Sequence, residues 1–173
     1  ALERLRTYTD AIAADNDATL RARLMIETGR FPTAQAGTYW LRVVDKKVSR
    51  GKTYVIAENC MNGLQKPALA AMLRHELGGA APTPYEPLFT SEWAFPVIAH
   101  GDESRTETVD IVGNLCCAAD VLAEGFTGPA LAVGDLIEVR NAGAYACTLT
   151  AQRFSSHTPP QELLVYGDGT VEA

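Results

Sequence analysis

Apolar side chains recur at Leu2, Leu5, Tyr8 and Ile12 with polar residues between them, a near-helical period that predicts an amphipathic helix over residues 2–14. Asp15-Asn16-Asp17 breaks it. The run Arg23-Leu24-Met25-Ile26-Glu27 predicts a short strand ending at Gly29, and Pro32 stands where a helix can start, because its missing N–H costs nothing in a first turn. From residue 38 the helical period gives way to β-branched and aromatic residues. Segments 38–44 and 53–57 predict two strands of a hairpin, joined by a polar turn over 46–52 that contains Gly51. Residues 67–75 have helical composition, and residues 78–84, rich in Gly, Ala and Pro, are the clearest loop. Further strands are expected at 95–99, 106–112, 135–140 and 162–166, with Gly134-Asp135 and Gly167-Asp168-Gly169 as turn signals.

Several short strands at this spacing predict a β-barrel or sandwich rather than a parallel sheet. The chain therefore reads as two parts: the end of an α/β element over residues 1–36, and a mainly β domain over 37–173. With 173 residues, 47% of them hydrophobic, it can bury a core of ordinary size. Its net charge of −6 comes from acids spread along the chain. Nucleic-acid binding needs clustered Lys and Arg, so that partner is not expected, and neither is an anionic membrane surface. No apolar run approaches the roughly 20 residues of a membrane span. The charged N-terminus does not read as a signal peptide. The four cysteines lack Cys-x-x-Cys spacing and are too few for a disulfide scaffold, which suits reduced thiols in a cytoplasmic protein. The three histidines share no ligand spacing, so no metal site is expected.

Four places could carry chemistry. Glu27-Thr28-Gly29-Arg30 follows the expected strand, at the end where α/β barrels keep their active sites. Its carboxylate could pair with a protonated ring nitrogen, its glycine lets backbone N–H groups approach an anion, and its Arg offers a planar fork for phosphate. The same residues also fit a surface ion pair around a turn. Gly113-Asn114-Leu115-Cys116-Cys117-Ala118-Ala119-Asp120 holds vicinal thiols. A thiol near its reference pKa is mostly protonated at neutral pH, as a proton donor must be; an inert buried thiol is the alternative. Gly143-Ala144-Tyr145 reads as a glycine turn followed by a tyrosine. The stretch from Glu58 to Leu69 holds Lys66, which suits either a carboxylate partner or a solvated residue at a helix start.

In this order the four segments resemble the ornithine/diaminopimelate decarboxylase family, the fold-type III enzymes that use pyridoxal 5'-phosphate. The family's Glu-Pro-Gly-Arg is matched at Glu27, Gly29 and Arg30, with Thr28 in place of Pro. Its Gly-Pro-x-Cys is matched at Gly113 and Cys116, with Asn114 in place of Pro, and Asp120 matches a further Asp. Its Gly-Ala-Tyr is matched at 143–145. The segment Asp-Gly-Gly-Met-Asn…Arg-Pro-Ala-Leu-Tyr is matched at Met61, Asn62, Leu64, Pro67, Ala68 and Leu69. The resemblance runs from about residue 22 to 166.

The resemblance implies the C-terminal β-barrel or sandwich domain of the alanine-racemase/decarboxylase type, preceded by the last helix and strand of a TIM barrel. It implies Glu27, Gly29, Arg30 and Tyr145 as cofactor-binding residues and Cys116 as the catalytic proton donor. Cys117 and Lys66 would face the substrate, and Asp120 would either join them or serve the structure of its loop. Cys117 stands where diaminopimelate decarboxylases carry Glu and ornithine decarboxylases Asp to hold the substrate's distal amine. Lys66 and Ala70 replace an Arg and a Tyr that also contact the substrate's tail, so the expected substrate is an amino acid with a modified or carrier-linked tail. The implied partners are an N-terminal barrel portion, on the same or a separate chain, and a second copy in a homodimer with composite sites. The lysine that carries the cofactor sits in that barrel, so the chain alone is expected to be inactive. Two other readings stand beside this one: a non-catalytic decarboxylase-like domain that binds a partner, and an alanine-racemase-like enzyme.

Overall fold

A computed structural model of the chain describes residues 3, 6, 7, 10, 25, 27–76 and 94–173. Strand β1 (Tyr39–Ser49) and β2 (Lys52–Ala57) form the expected hairpin, followed by helix α1 (Gln65–Glu76). Then come β3 (Val97–His100), β4 (Asp102–Gly113), β5 (Val121–Ala130), β6 (Leu136–Val139) and a terminal pair, β7 (Leu164–Val165) and β8 (Val171–Glu172). The first six strands make one sheet in the order β3-β6-β1-β2-β4-β5. All its pairings are antiparallel except β2 with β4. The edge strands β3 and β5 touch, so the sheet is nearly closed into a barrel, in agreement with the expected mainly β architecture.

Alternation explains the closure. Leu41 and Val43 on β1 are buried while Arg42 between them is exposed. Leu41 pairs with Ile137, Ile137 with Ala99, Val43 with Ala57, and Val55 with Ile111, so one apolar layer runs across five strands. Each fully buried Val, Leu or Ile contributes about 1.5–3 kcal/mol, against about 1 kcal/mol net for a hydrogen bond, so this inner face dominates the fold's stability. β1 serves both halves of the sheet. Its first residues pair with β6, its later ones with β2, and a bulge at Val44 marks the change of partner.

The hairpin turn is tighter than the sequence suggested. Ser49 pairs with Lys52, leaving only Arg50 and Gly51 between the strands, both with positive φ (51° and 80°). That is the two-residue turn whose twist suits a hairpin. Of the helix expected over 2–14, Glu3, Arg6, Thr7 and Asp10 are helical and the other positions lie outside the described residues. Of the strand expected at 23–27, Met25 and Glu27 carry no regular structure, and Arg23, Leu24 and Ile26 lie outside the described residues, as does the loop at 78–84. The strand β5 was not expected at all.

Candidate functional site

The sheet's pairing gathers the candidate segments at one end. Val139 pairs with both Tyr39 and Val97, Ala57 pairs with Gly113, and Val112 with Val121. The entry to β1, the exits of β2, β4 and β6 and the entries to β3 and β5 therefore share one rim. Segments 29–38, 58–66, 94–96, 114–120 and 140–145 all lie there, and all but 94–96 hold or adjoin a residue singled out by sequence.

Gly29 and Arg30 open a tight turn. Gly29 has φ +54°, with open space where a side chain would stand. The Phe31 amide donates to the Thr28 carbonyl at 3.1 Å, and the Ala34 amide to the Arg30 carbonyl at 2.9 Å. The turn is pinned to the segment after β6: the Arg30 Nη2 donates to the Asn141 carbonyl at 2.6 Å. Asn141 is itself left-handed (φ 61°), and its Nδ2 donates to the Ala94 carbonyl at 3.0 Å. The Arg30 guanidinium lies over the Phe95 ring, 4.1 Å from its centroid. Its Nε is buried with no hydrogen-bond partner among the described residues, and burial lowers the guanidinium's pKa from the usual arginine value. Glu27 is exposed.

Two backbone bonds weld this turn to the Gly-Ala-Tyr segment: the Ala142 amide donates to the Gly37 carbonyl at 2.9 Å, and the Gly143 amide to the Ala34 carbonyl at 3.0 Å. Tyr145 follows, half exposed and left-handed (φ 58°). The Lys66 Nζ sits 5.5 Å from the centroid of its ring. Lys66 is buried, at 5% exposure, in the first turn of α1. That placement differs from a solvated lysine at a helix start. The Gln65 amide also donates to the Thr150 hydroxyl at 3.3 Å, tying α1 to the chain beyond Tyr145.

The cysteine loop is organised by Asp120, which is 2% exposed. Its Oδ1 accepts from the Met61 amide at 2.7 Å and its Oδ2 from the Leu115 amide at 2.9 Å. Its backbone closes the loop, accepting from the Gly113 amide at 2.8 Å and donating to the Cys117 carbonyl at 3.0 Å. Any side chain at Gly113 would run into this carboxylate. Cys60 hydrogen-bonds to Asp120 as well; burial first, and then that carboxylate's charge, push its thiol well up. Cys116 and Cys117 are both exposed on the loop so formed. Sequence reasoning passed over Asn141 and Phe95 as site residues, although a strand end followed by Asn-Ala-Gly is a signal for a left-handed turn. It also passed over Tyr39, whose hydroxyl donates to the Asn59 carbonyl at 2.6 Å.

Among the described residues no group of three or more His, Cys, Asp and Glu could hold a metal ion, and no helix is long and apolar enough to cross a membrane. The fold and rim define a nearly closed β domain that gathers several loops at one end. Comparison with known proteins specifies the class. Residues 11–143 match the family model of the C-terminal sheet domain of pyridoxal-dependent decarboxylases, and the chain belongs to that family. It is 30% identical over 160 residues to the L-glutamyl-[BtrI acyl-carrier protein] decarboxylase of Niallia circulans, covering 92% of this chain and 35% of that protein. It is 31% identical over 150 residues to the diaminopimelate decarboxylase of Neisseria meningitidis serogroup B, covering 87% of this chain and 31% of that one. A diaminopimelate decarboxylase from Helicobacter pylori, solved with L-lysine, shares the fold with a TM-score of 0.67 at 21% identity, covering 95% of this chain and 35% of that one. The chain thus spans about a third of the length of the relatives it matches. The family's cofactor is pyridoxal phosphate.

Proposed function

We propose that this chain is the C-terminal domain of a pyridoxal 5'-phosphate-dependent amino-acid decarboxylase and supplies one wall of its active site, with the domain boundary near residues 36 and 37. The observation that carries this reading is the shared rim, where the Arg30, Tyr145, Lys66 and Cys116 segments meet although they are far apart in sequence. The residues fit the cofactor. The unpartnered Nε–H of Arg30 and the open left-handed backbone at Gly29 suit an anion such as its phosphate.

In this reading Gly29, Arg30 and the Tyr145 hydroxyl hold the phosphate, and the Glu27 carboxylate holds a proton on the ring nitrogen. The cofactor, when bound, supplies an electron sink for the pair left as carbon dioxide departs. The Cys116 Sγ–H delivers its proton to the carbon that lost the carboxyl group. Asp120 fixes the loop that presents Cys116; its buried carboxylate accepts from the Met61 amide on one oxygen and the Leu115 amide on the other, which favours loop order over substrate contact as its role. The barrel portion that carries the cofactor's lysine would complete the site, in a homodimer with composite sites, and the chain alone would be inactive. Four free thiols suit a reducing cytoplasmic compartment.

Cys117 and Lys66 face the question of substrate. A neutral thiol at position 117 supplies no counter-charge for a distal amine, whereas a lysine near the same rim suits an anionic or carbonyl-bearing tail. This supports an amino acid modified or carrier-linked at its tail, the chemistry named for the Niallia circulans relative. The test joins the chain to its barrel portion, adds the cofactor and measures carbon dioxide release from diaminopimelate, ornithine and a glutamyl-carrier conjugate. Release from the conjugate above the free diamino acids is expected; no cofactor binding by the complete assembly overturns the reading. Cys116→Ala should impair product protonation far more than Cys117→Ala, and equal effects count against the assignment of Cys116.

A further inference from the structure

Arg30 is a constrained cation on the rim, and two residues outside the four sequence motifs constrain it. Phe95 lies under its guanidinium at 4.1 Å, and the Asn141 carbonyl takes its Nη2 at 2.6 Å. Asn141 also holds Phe95 in place. Its Nδ2 donates to the carbonyl of Ala94, the residue before Phe95, and the amide of Arg140 donates to the Pro96 carbonyl, the residue after it, at 2.9 Å. The three residues therefore form one clasp, through the Arg30 and Phe95 side chains and both the backbone carbonyl and the side chain of Asn141, closed between segments 111 positions apart. What the clasp leaves unsatisfied is a single buried donor, the Arg30 Nε.

A buried guanidinium N–H without an acceptor is costly, and native structures rarely keep one without a purpose. Packing that already fixes the plane of the guanidinium removes the ordering cost from the binding of an anion. We infer that Phe95 and Asn141 are positioning residues that pre-orient Arg30 so that its unpartnered Nε–H meets the phosphate of the cofactor. The inference rests on the assignment of Arg30 to that phosphate. Asn141 suits the task because its carbonyl takes Arg30 from a left-handed backbone, which Asn adopts more readily than most residues. Phe95 suits it because an aromatic face attracts a guanidinium without consuming any of its N–H donors.

The test measures binding of two probes, pyridoxal 5'-phosphate and phosphate-free pyridoxal, to the complete apo-assembly by absorbance titration. Arg30→Gln should weaken pyridoxal 5'-phosphate by tenfold or more and leave pyridoxal unchanged. Phe95→Leu should weaken pyridoxal 5'-phosphate by about two- to tenfold, the span expected from losing one pre-ordered side chain, again sparing pyridoxal. Phe95→Tyr keeps the ring and should restore affinity. Asn141→Gly keeps the left-handed backbone and carbonyl, so it should cost less than Phe95→Leu. If Arg30→Gln weakens the phosphate ester but Phe95→Leu does not, or if Phe95→Leu weakens both probes equally, the positioning role is overturned. If Arg30→Gln changes neither probe, the phosphate assignment falls, and the inference with it.

Discussion

Gly143 donates its amide hydrogen to the carbonyl of Ala34 at 3.0 Å, pressing the first residue of the Gly-Ala-Tyr segment against the backbone that leads into β1. A Cβ at Gly143 would stand 2.7 Å from the Gly37 nitrogen and closer still to the Thr33 carbonyl oxygen. The reverse holds too, since a Cβ at Gly37 would meet the Gly143 backbone. The glycine of this triplet is thus a packing requirement between two site segments, independent of any ligand.

Gly143→Ala should therefore destabilise the domain by about 1–3 kcal/mol, the range for overpacking against atoms that cannot move aside. Thermal melting of the chain would register this as a fall of several degrees. An unchanged melting temperature would mean that segments 33–37 and 142–143 are not in contact.

Asp120→Ala removes the acceptor for the Met61 and Leu115 amides and for the Cys60 thiol. Hydrogen bonds to a charged acceptor are worth about 1.5–3 kcal/mol each, and loss of the shared acceptor leaves buried donors unsatisfied, so the expected cost is roughly 3 kcal/mol or more. Denaturant unfolding reads the cost. Amide exchange should accelerate at Met61 and Leu115 ahead of the sheet, which separates loss of loop order from general unfolding.

The four thiols should fall into two reactive classes. Cys116 and Cys117 are exposed, whereas Cys60 is buried and Cys147 is partly covered. Burial first, then Glu162, push the Cys147 thiol up to about 11. A disulfide reagent near pH 8 should consume two thiols quickly and two slowly, because the thiolate is the reactive form. A thiol raised in the folded state contributes stability that is fully present below its unfolded value and is lost as pH climbs toward the folded one. Stability should then decline between about pH 8.5 and 11, and Cys147→Ala should flatten that decline in urea titrations.

Sequence and structure agree where the pattern is local. Leu41, Arg42 and Val43 alternate as a half-buried strand must, and Gly51 sits in the turn. The strand β5 was hidden because Gly125, Gly128 and Pro129 give it the composition of a loop. In the structure Gly125 takes a left-handed conformation (φ 60°) where the register with β4 shifts, and its amide donates to the Asp110 carboxylate at 2.7 Å. The motif residues could be found from their order alone. Their assembly could not, because Arg30 on Asn141 and Asp120 on Met61 join segments 111 and 59 residues apart and leave no periodic trace. The burial of Lys66 was illegible for the same reason: a lysine in a first helical turn is ordinarily solvated, and only the fold places the chain around Tyr145 beside it.

Asp110 makes a last expectation quantifiable by direction. The Gly125 amide bonded to its carboxylate holds its pKa below the usual range, with Lys52, 3.0 Å from Oδ2, adding to the effect against the opposing influence of burial. A carboxylate depressed in the folded state contributes stability above its unfolded value, near pH 3.9, and loses it as pH falls through the folded value. Unfolding free energy should therefore drop as pH is lowered from about 5 to 2. Asp110→Asn should be less stable at neutral pH and show a shallower acid slope, whereas Lys52→Met should shift the slope only slightly, because the lysine is exposed and its ion pair is screened by solvent. Urea titrations at several pH values distinguish the two: an acid slope unchanged in Asp110→Asn would show that the bond to Gly125 does not hold the β4–β5 junction.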